Sequence, residues 1–416
     1  MIRSITYIAL LFTFCANSIQ AQDELNGYLT TAAKNNPGLK AKFNEYLAAL
    51  EKVPQVGGLP DPEISFGYFI LPVETRVGPQ HAKFSAMQMF PWFGTLGAKK
   101  DVAAEMAKQK FEAFEDAKSR LYYDVSSVYY NIYFIQKGID ITYENVNILS
   151  TLKRLALIRF EAGTGSAVDE LRVSMEVADL ENQLAYLRDS KEVLEVKFNN
   201  LLDVADDADV IVPDTLWDSP LSIPKISVMD SIIAQNHQLK RLEHKIMTWE
   251  KQETVARKVG LPSFSVGLDY TIVGKSSNPA MSGSAENGRD ILMLPKVGIT
   301  IPIYRKKYKA MVKEASLNME AARFEQVEKV NQLSSLFEAS YRDYADADRR
   351  VDLYRSQLRL AQKSLDILMT GYSNDGDSFE EVLRMERKVL KYALELDKSR
   401  SDKSAATAFI EYLTGK

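Results

Sequence analysis

Apolar positions near the end of the chain recur at steps of three and four: Val330, Leu333, Phe337, Tyr341 and Tyr344, then Val351, Tyr354, Leu358, Ala361, Leu365 and Leu368. One polar step, Asp348, falls in the series. This spacing draws an apolar seam along one side of a helix, as in a coiled coil. Neither Gly nor Pro occurs between Arg305 and Thr370, so the pattern predicts one unbroken helix. At 1.5 Å per residue it would be roughly 100 Å long. The stretch from Pro91 to Pro213 contains no internal proline and only isolated glycines before Gly163, and it predicts a second such helix.

Each long helix stops at a Gly-rich turn, "EAGTGSAVDEL" (Glu161 to Leu171) and "GYSNDGDSFEEVL" (Gly371 to Leu383). In both, a serine (Ser166, Ser378) stands three positions before an acid (Asp169, Glu381), a capping-box-like start to a new helix. The return helices run to about Asp203 and Tyr412, roughly half the outgoing length. Two further helical segments, Asp23 to Val53 and Val228 to Val259, supply the missing half. The reading is of antiparallel pairs with one continuous partner and one spliced from two pieces.

Between these helices the apolar period switches to two. In "GLPSFSVGLDYTIVG", which begins at Gly260, Phe264, Val266, Leu268, Tyr270 and Ile272 alternate with Ser265, Gly267, Asp269 and Thr271. That is apolar-out, polar-in alternation. "GLPDPEISFGYF", from Gly58, repeats it with Ile64, Phe66 and Tyr68. "HAKFSAMQMF" and "ILMLPKVGITI" complete four strands, with loops of about ten to sixteen residues inside each pair. Four strands cannot close a membrane barrel, for which at least eight are needed, but three copies supply twelve. A homotrimer would also remove the open sheet edges at Ile64–Phe69 and Val297–Ile301. In this register a charge costs much at Leu268, on the lipid face, and little at Thr271, on the lumen face.

The start, "MIRSITYIALLFTFCANSIQAQDE", pairs Arg3 with a short apolar core, Ile5 to Phe14, and a small-residue end. It reads as a secretory signal peptide cleaved after Ala21. Cys15, the only cysteine, falls inside it, so the mature chain has no thiol chemistry. Nothing later reaches about 18 consecutive apolar residues. An exported chain of this kind is soluble or crosses a membrane as strands. The net charge of −4 argues against a nucleic-acid partner.

Several features together resemble the TolC family of outer-membrane efflux ducts. They are the two "GLP" strand openings at Gly58 and Gly260, the strand-proline-aromatic-helix passages "MFPWFGTLGAKK" at Pro91 and "TIPIYRKKYK" at Pro302, the turns at Gly163–Ser166 and Gly376–Ser378, and "AAKNNPGLKA" (Ala32 to Ala41). Within the family the chain most resembles the heavy-metal (Cus/Czc-like) branch. The resemblance implies a mainly α chain with a membrane β-barrel, in which long coiled-coil helical hairpins form a periplasmic tunnel. Four strands per protomer then build a twelve-stranded trimeric barrel. It implies an exit duct in the outer membrane of a Gram-negative bacterium, extending into the periplasm. The implied partners are a periplasmic adaptor (membrane fusion) protein, an inner-membrane pump of RND type and outer-membrane lipid, with heavy-metal ions as a candidate cargo. Two structural repeats, 22–212 and 213–416, follow the signal peptide at 1–21. The alternative is a periplasmic structural coiled coil or scaffold without a pore.

Trp92, Phe93 and Tyr304 suit a membrane–water boundary. The cations of "YRKKYK" oppose the helix macrodipole, by a few tenths of a kcal/mol each, and fit either lipid phosphates or a solvated turn. In the family, acids of the second turn narrow the periplasmic mouth, which makes Asp375 and Asp377 the gate candidates. No nucleophile–base constellation is present, so no enzyme and no cofactor are expected. His237 and His244 lie seven apart, about 10 Å along a helix, too far for one metal centre, and read as solvated. "NDGDSFEE" lacks the full ligand series of a calcium loop. Met87 and Met89 share a strand face and read as packing inside the barrel.

Overall fold

The structure is a computed structural model that describes residues 23–217, 220–221, 224–280, 283–373 and 378–416. The cleavage site at Ala21, Cys15, and the gate candidates Asp375 and Asp377 lie outside the described residues. The element order is α1 (23–35), α2 (Pro37–Gly57), β1 (Glu63–Thr75), β2 (Gly78–Phe90), α3 (Thr95–Glu161), α4 (Ala167–Leu202), α5 (Lys225–Gln235), α6 (His237–Val259), β3 (Ser263–Val273), β4 (Ile291–Thr300), α7 (Arg305–Ser373) and α8 (Phe379–Leu413). The long helices are continuous, α3 over 67 residues and α7 over 69. Their return partners α4 and α8 have 36 and 35. Ser166 caps α4 through the backbone N–H of Val168 at 3.2 Å. Ser378 makes no side-chain cap bond, so the second expected capping box does not form.

The two spliced segments each break once more than the sequence pattern predicts, at Asn36 and Asn236. The breaks are alike. The Asn36 amide donates to the carbonyl of Leu201 at 3.0 Å, and its oxygen accepts from the N–H of Leu39 at 3.0 Å. The Asn236 amide donates to the carbonyl of Leu413 at 3.0 Å, and its oxygen accepts from Gln238 and Leu239. Each asparagine thus caps the helix after it and satisfies a carbonyl at the C-terminal end of a return helix, one of the orphan acceptors such an end leaves. The first segment also continues through Pro54 to Gly57.

The chain packs as two compact units, each drawn from both halves of the sequence. One takes residues up to Lys42, Ala113–Leu239 and Lys329–Lys416. It is all helix and connecting loop, with three apolar clusters. Tyr129, Ile132, Tyr133 and Phe198 centre the first, Leu149, Leu152, Val173, Tyr372 and Val382 the second, and Val228, Ile232, Phe337, Ile410 and Leu413 the third. The seam read from the sequence is buried at Leu333, Phe337, Val351 and Ala361. At the polar step the buried residue is Ala347, while Asp348 turns outward to Lys403 Nζ at 2.8 Å. Ion pairs such as Arg350–Asp402 (2.9 Å) and Arg387–Glu176 (2.6 Å) link neighbouring helices beside the seams.

One acid lies inside this helical unit. Glu386 of α8 is 2% exposed; Oε1 accepts from the Asn145 amide at 2.7 Å and Oε2 has no partner. Burial pushes its carboxyl above the ordinary range, and the nearby Glu144 charge adds to this, against the lowering effect of the Asn145 bond. A carboxyl raised in the fold holds its proton more tightly than in the unfolded chain. Its full contribution is therefore present below the unfolded value, about 4.3, and is lost as pH rises through the folded value. Glu386→Gln is expected to melt at a higher temperature than wild type at pH 8, with the gap closing toward pH 4. Parallel melting curves for the two proteins would refute this at once if their separation did not change with pH.

The other unit takes Phe43–Glu112 and Lys240–Glu328. Its core element is one antiparallel sheet in the order β1-β2-β3-β4. The edges are β1 and β4, the strands whose edges the sequence reading left open. The first hairpin differs from expectation: β1 runs on to Thr75 and meets β2 through Arg76 and Val77 alone, instead of a loop of about ten residues. Ile70 and Val73 are strong strand formers, and Pro72 is tolerated because it sits on an edge strand, where a missing donor breaks no necessary ladder. The register shift between Tyr68 and Val73 absorbs it.

Candidate functional site

The sheet has two chemically distinct faces. Cross-strand pairs Phe66↔Phe84↔Tyr270↔Leu292 and Ile64↔Ala86↔Leu268 place apolar side chains on one side. On β1 this side is open, with Ile64 78% exposed, and Phe66 and Phe84 pack ring to ring at 4.8 Å. The opposite side carries Ser65, Ser85 and Asp269 in one row and Gly67, Lys83 and Thr271 in the next. Met87 and Met89 lie on this polar side, opposite Gly267 and Ser265. The alternation therefore has the phase read from the sequence. Thr271 is a correction in detail: it is buried among its neighbours, so it is not an open position where a charge enters freely.

Asp269 organises the polar face. Lys83 Nζ lies 2.9 Å from Oδ2, and Lys296 Nζ 3.2 Å from the same oxygen. The sequence offered no sign of this cluster, because it joins three strands. Register supplies it: Lys296 pairs with Gly267 and so stands on the same face as Asp269, one step along β3, before the bulge that puts one extra residue on β4 ahead of the Asp269↔Met293 pair.

At the strand ends the ladders stop at Phe90 and Thr300, and Pro91 and Pro302 follow. Proline offers no N–H to continue a ladder. Trp92 stacks on Phe264 at 5.7 Å, with Phe93 at 6.4 Å from the same ring. Phe264 joins this collar from β3, a contact that its strand alternation alone does not reveal. Phe93 and Tyr304 are 79% and 78% exposed. Gly94 adopts φ +75, with Lys258 Nζ 3.0 Å from where a Cβ would stand. Arg305 donates to the carbonyl of Gly260 at 2.9 Å, so one cation of the basic run holds the turn between α6 and β3.

His244 is not solvated as the sequence reading had it. Its Nδ1 lies 2.8 Å from Oε2 of the buried Glu105, whose Oε1 meets Lys108 at 2.8 Å. Burial alone would raise the Glu105 carboxyl, but the bonds from Lys108 and His244 outweigh it and hold it below its ordinary value. His237 is half-buried beside the Asn236 break. Among the described residues no three potential ligands gather into a metal site, and no helix is long and apolar enough to cross a membrane.

At the hairpin ends, α3 closes with Gly163 at φ +75 and a bond from Thr164 N–H to the Arg159 carbonyl. Arg159 Nη1 donates to the Tyr372 carbonyl at 2.9 Å, and its guanidinium lies 4.3 Å from the Tyr372 ring centre. Tyr372 in turn packs on Phe379 at 5.2 Å. The end of α3 is thus fastened to the end of α7.

No protein-family model matches the chain. The Toxin and drug export protein A of Aggregatibacter actinomycetemcomitans is 21% identical over 262 residues, 62% of this chain, and the chain spans little more than half, 55%, of that protein. Among the solved structures similar over nearly the whole chain are the following three. The outer membrane protein VceC of Vibrio cholerae has a TM-score of 0.75 at 12% identity, covering 95% of this chain and 98% of its own. The open state of the Neisseria gonorrhoeae MtrE outer membrane channel gives 0.75 at 14%, covering 94% and 89%. The transmembrane channel CusC gives 0.73 at 15%, covering 94% and 92%. The fold of this chain is the fold of these channel proteins.

Proposed function

We propose that the protein is the outer-membrane exit duct of a tripartite efflux system, a passive channel rather than an enzyme. The observation that carries this reading is the four-stranded sheet, apolar on one face, polar on the other, and open at both edges. Three copies close those edges into a twelve-stranded barrel whose apolar face meets lipid and whose polar face meets water. Trp92, Phe93 and Tyr304 sit where the strands end and mark the membrane boundary. The paired helices continue as a periplasmic tunnel toward an adaptor protein and an inner-membrane pump of RND type. The similarity to a toxin and drug export protein supports export as the task. The heavy-metal branch gains no preference, since the TM-score against CusC is 0.73 and against VceC and MtrE 0.75.

Asp375 and Asp377 form the mouth in this reading. Threefold symmetry brings their carboxylates together around one axis, where the tunnel focuses their field. Cross-linking of detergent-purified protein should give trimers, and planar-bilayer recordings should show discrete channels. Asp375→Asn with Asp377→Asn should reduce block by divalent cations added from the periplasmic side. Monomers or dimers alone, or trimers that insert without conducting, would overturn the duct; conducting trimers with unchanged block would remove only the aspartates from the mouth.

A further inference from the structure

We propose that the Lys83–Asp269–Lys296 cluster is a charge-selecting station on the barrel wall that favours anionic over cationic solutes. The inference rests on the channel reading, in which the polar face of the sheet lines the lumen. Two ammonium groups share one carboxylate here. Their exposure differs sharply: the Asp269 side chain is 8% exposed, while those of Lys83 and Lys296 are 42% and 35% exposed. The negative charge is covered by the two lysine stems, and the positive charges stand at the surface. A passing ion therefore meets ammonium first, and each protomer carries one uncompensated positive charge at this level.

The surroundings sharpen the effect. Lys83 lies opposite Gly67 on β1 and Thr271 on β3, and Lys296 opposite Gly267 on β3, so no charged side chain stands directly across from either. On the regularly paired part of β1, up to Tyr68, the acid on this face is Glu63, four residues from Gly67, about 13 Å at the usual rise. That is beyond the screening length of about 10 Å at about 0.1 M salt. His81 lies farther toward the β1–β2 turn, against Gly274. Around a threefold axis the exposed amines form a ring opposite in sign to the acids of the second turn. Such a ring works against free divalent metal ions as cargo and in favour of solutes bearing carboxylate or phosphate groups.

A purely structural role is the competing explanation, in which the cluster only staples β2, β3 and β4 together. Reversal potentials in a potassium chloride gradient separate the two, measured on trimers in planar bilayers. Lys83→Gln with Lys296→Gln should shift the chloride-to-potassium permeability ratio toward potassium by roughly threefold at about 0.1 M salt, and the shift should shrink at about 1 M, where screening falls to about 3 Å. Lys83→Arg with Lys296→Arg should retain the wild-type ratio. Asp269→Asn, if it assembles, should move the ratio the other way. Conducting glutamine variants with the wild-type ratio at low salt would overturn the proposal while leaving the channel intact. A wild-type trimer that inserts and never conducts would overturn the channel reading, and this proposal with it.

Discussion

Leu268→Arg is expected to reduce the folding stability of the barrel in lipid vesicles by about 2–4 kcal/mol, the range for a cation near the bilayer midplane. Leu268 lies in the centre strand pair, opposite Ala86, on the same face as Val266 and Tyr270. No charged residue occupies that face at any of these positions, so an arginine there has only lipid or a long reach to the interface. Ser65→Arg is the matched control. Ser65 pairs with Ser85 on the polar face and is exposed, so its arginine remains in water and should cost little. Thr271 would be a poorer control, because it is buried and lies across from Lys83. Denaturant titration of both variants in vesicles of one composition gives the comparison. Equal losses at the two positions would show that the sheet does not separate lipid from water.

Asn236→Ala is expected to destabilise the helical unit by about 2–4 kcal/mol, combining a lost helix cap of about 1 kcal/mol with an orphaned buried carbonyl at about 1–3 kcal/mol. Asn236 is 1% exposed. Its oxygen caps α6 through Gln238 and Leu239, and its amide is bound to the carbonyl of Leu413 at the end of α8. Asn236→Ser restores the cap but not the donor, and should recover only part of the loss. Asn36→Ala should cost less, since Asn36 is only half-buried and its oxygen caps one N–H, that of Leu39. Thermal unfolding followed by helical circular dichroism orders the three. If Asn236→Ala and Asn36→Ala melt together with wild type, the joints are not held by these amides.

The comparison of the two joints also shows what kind of information the sequence carries. "AAKNNPGLKA" was legible as a motif, but its reason was not: the amide of Asn36 is meaningful only beside Leu201, which lies 165 positions away. Asn236, which does the same work, carries no proline after it and raised no signal. His244 likewise looked solvated from its own helix, because Glu105 arrives from α3. The basic run after Pro302 looked uniform, yet Arg305 alone is drawn off to Gly260.

Local periodicity by itself determined the long helices, the turn at Gly163, the four strands, and which residues share a strand face. Those features depend on neighbours within a few positions, and a period of 3.6 or 2 records them directly. The tertiary structure alone decided that β2 lies beside β3, that pairing with Gly267 sets Lys296 on the face of Asp269, and that Lys83 completes the cluster. It also decided that β1 continues through Pro72, because only position on an edge makes a proline harmless there. Register and adjacency between distant segments are set by how whole faces pack, and no single segment's pattern contains its partner.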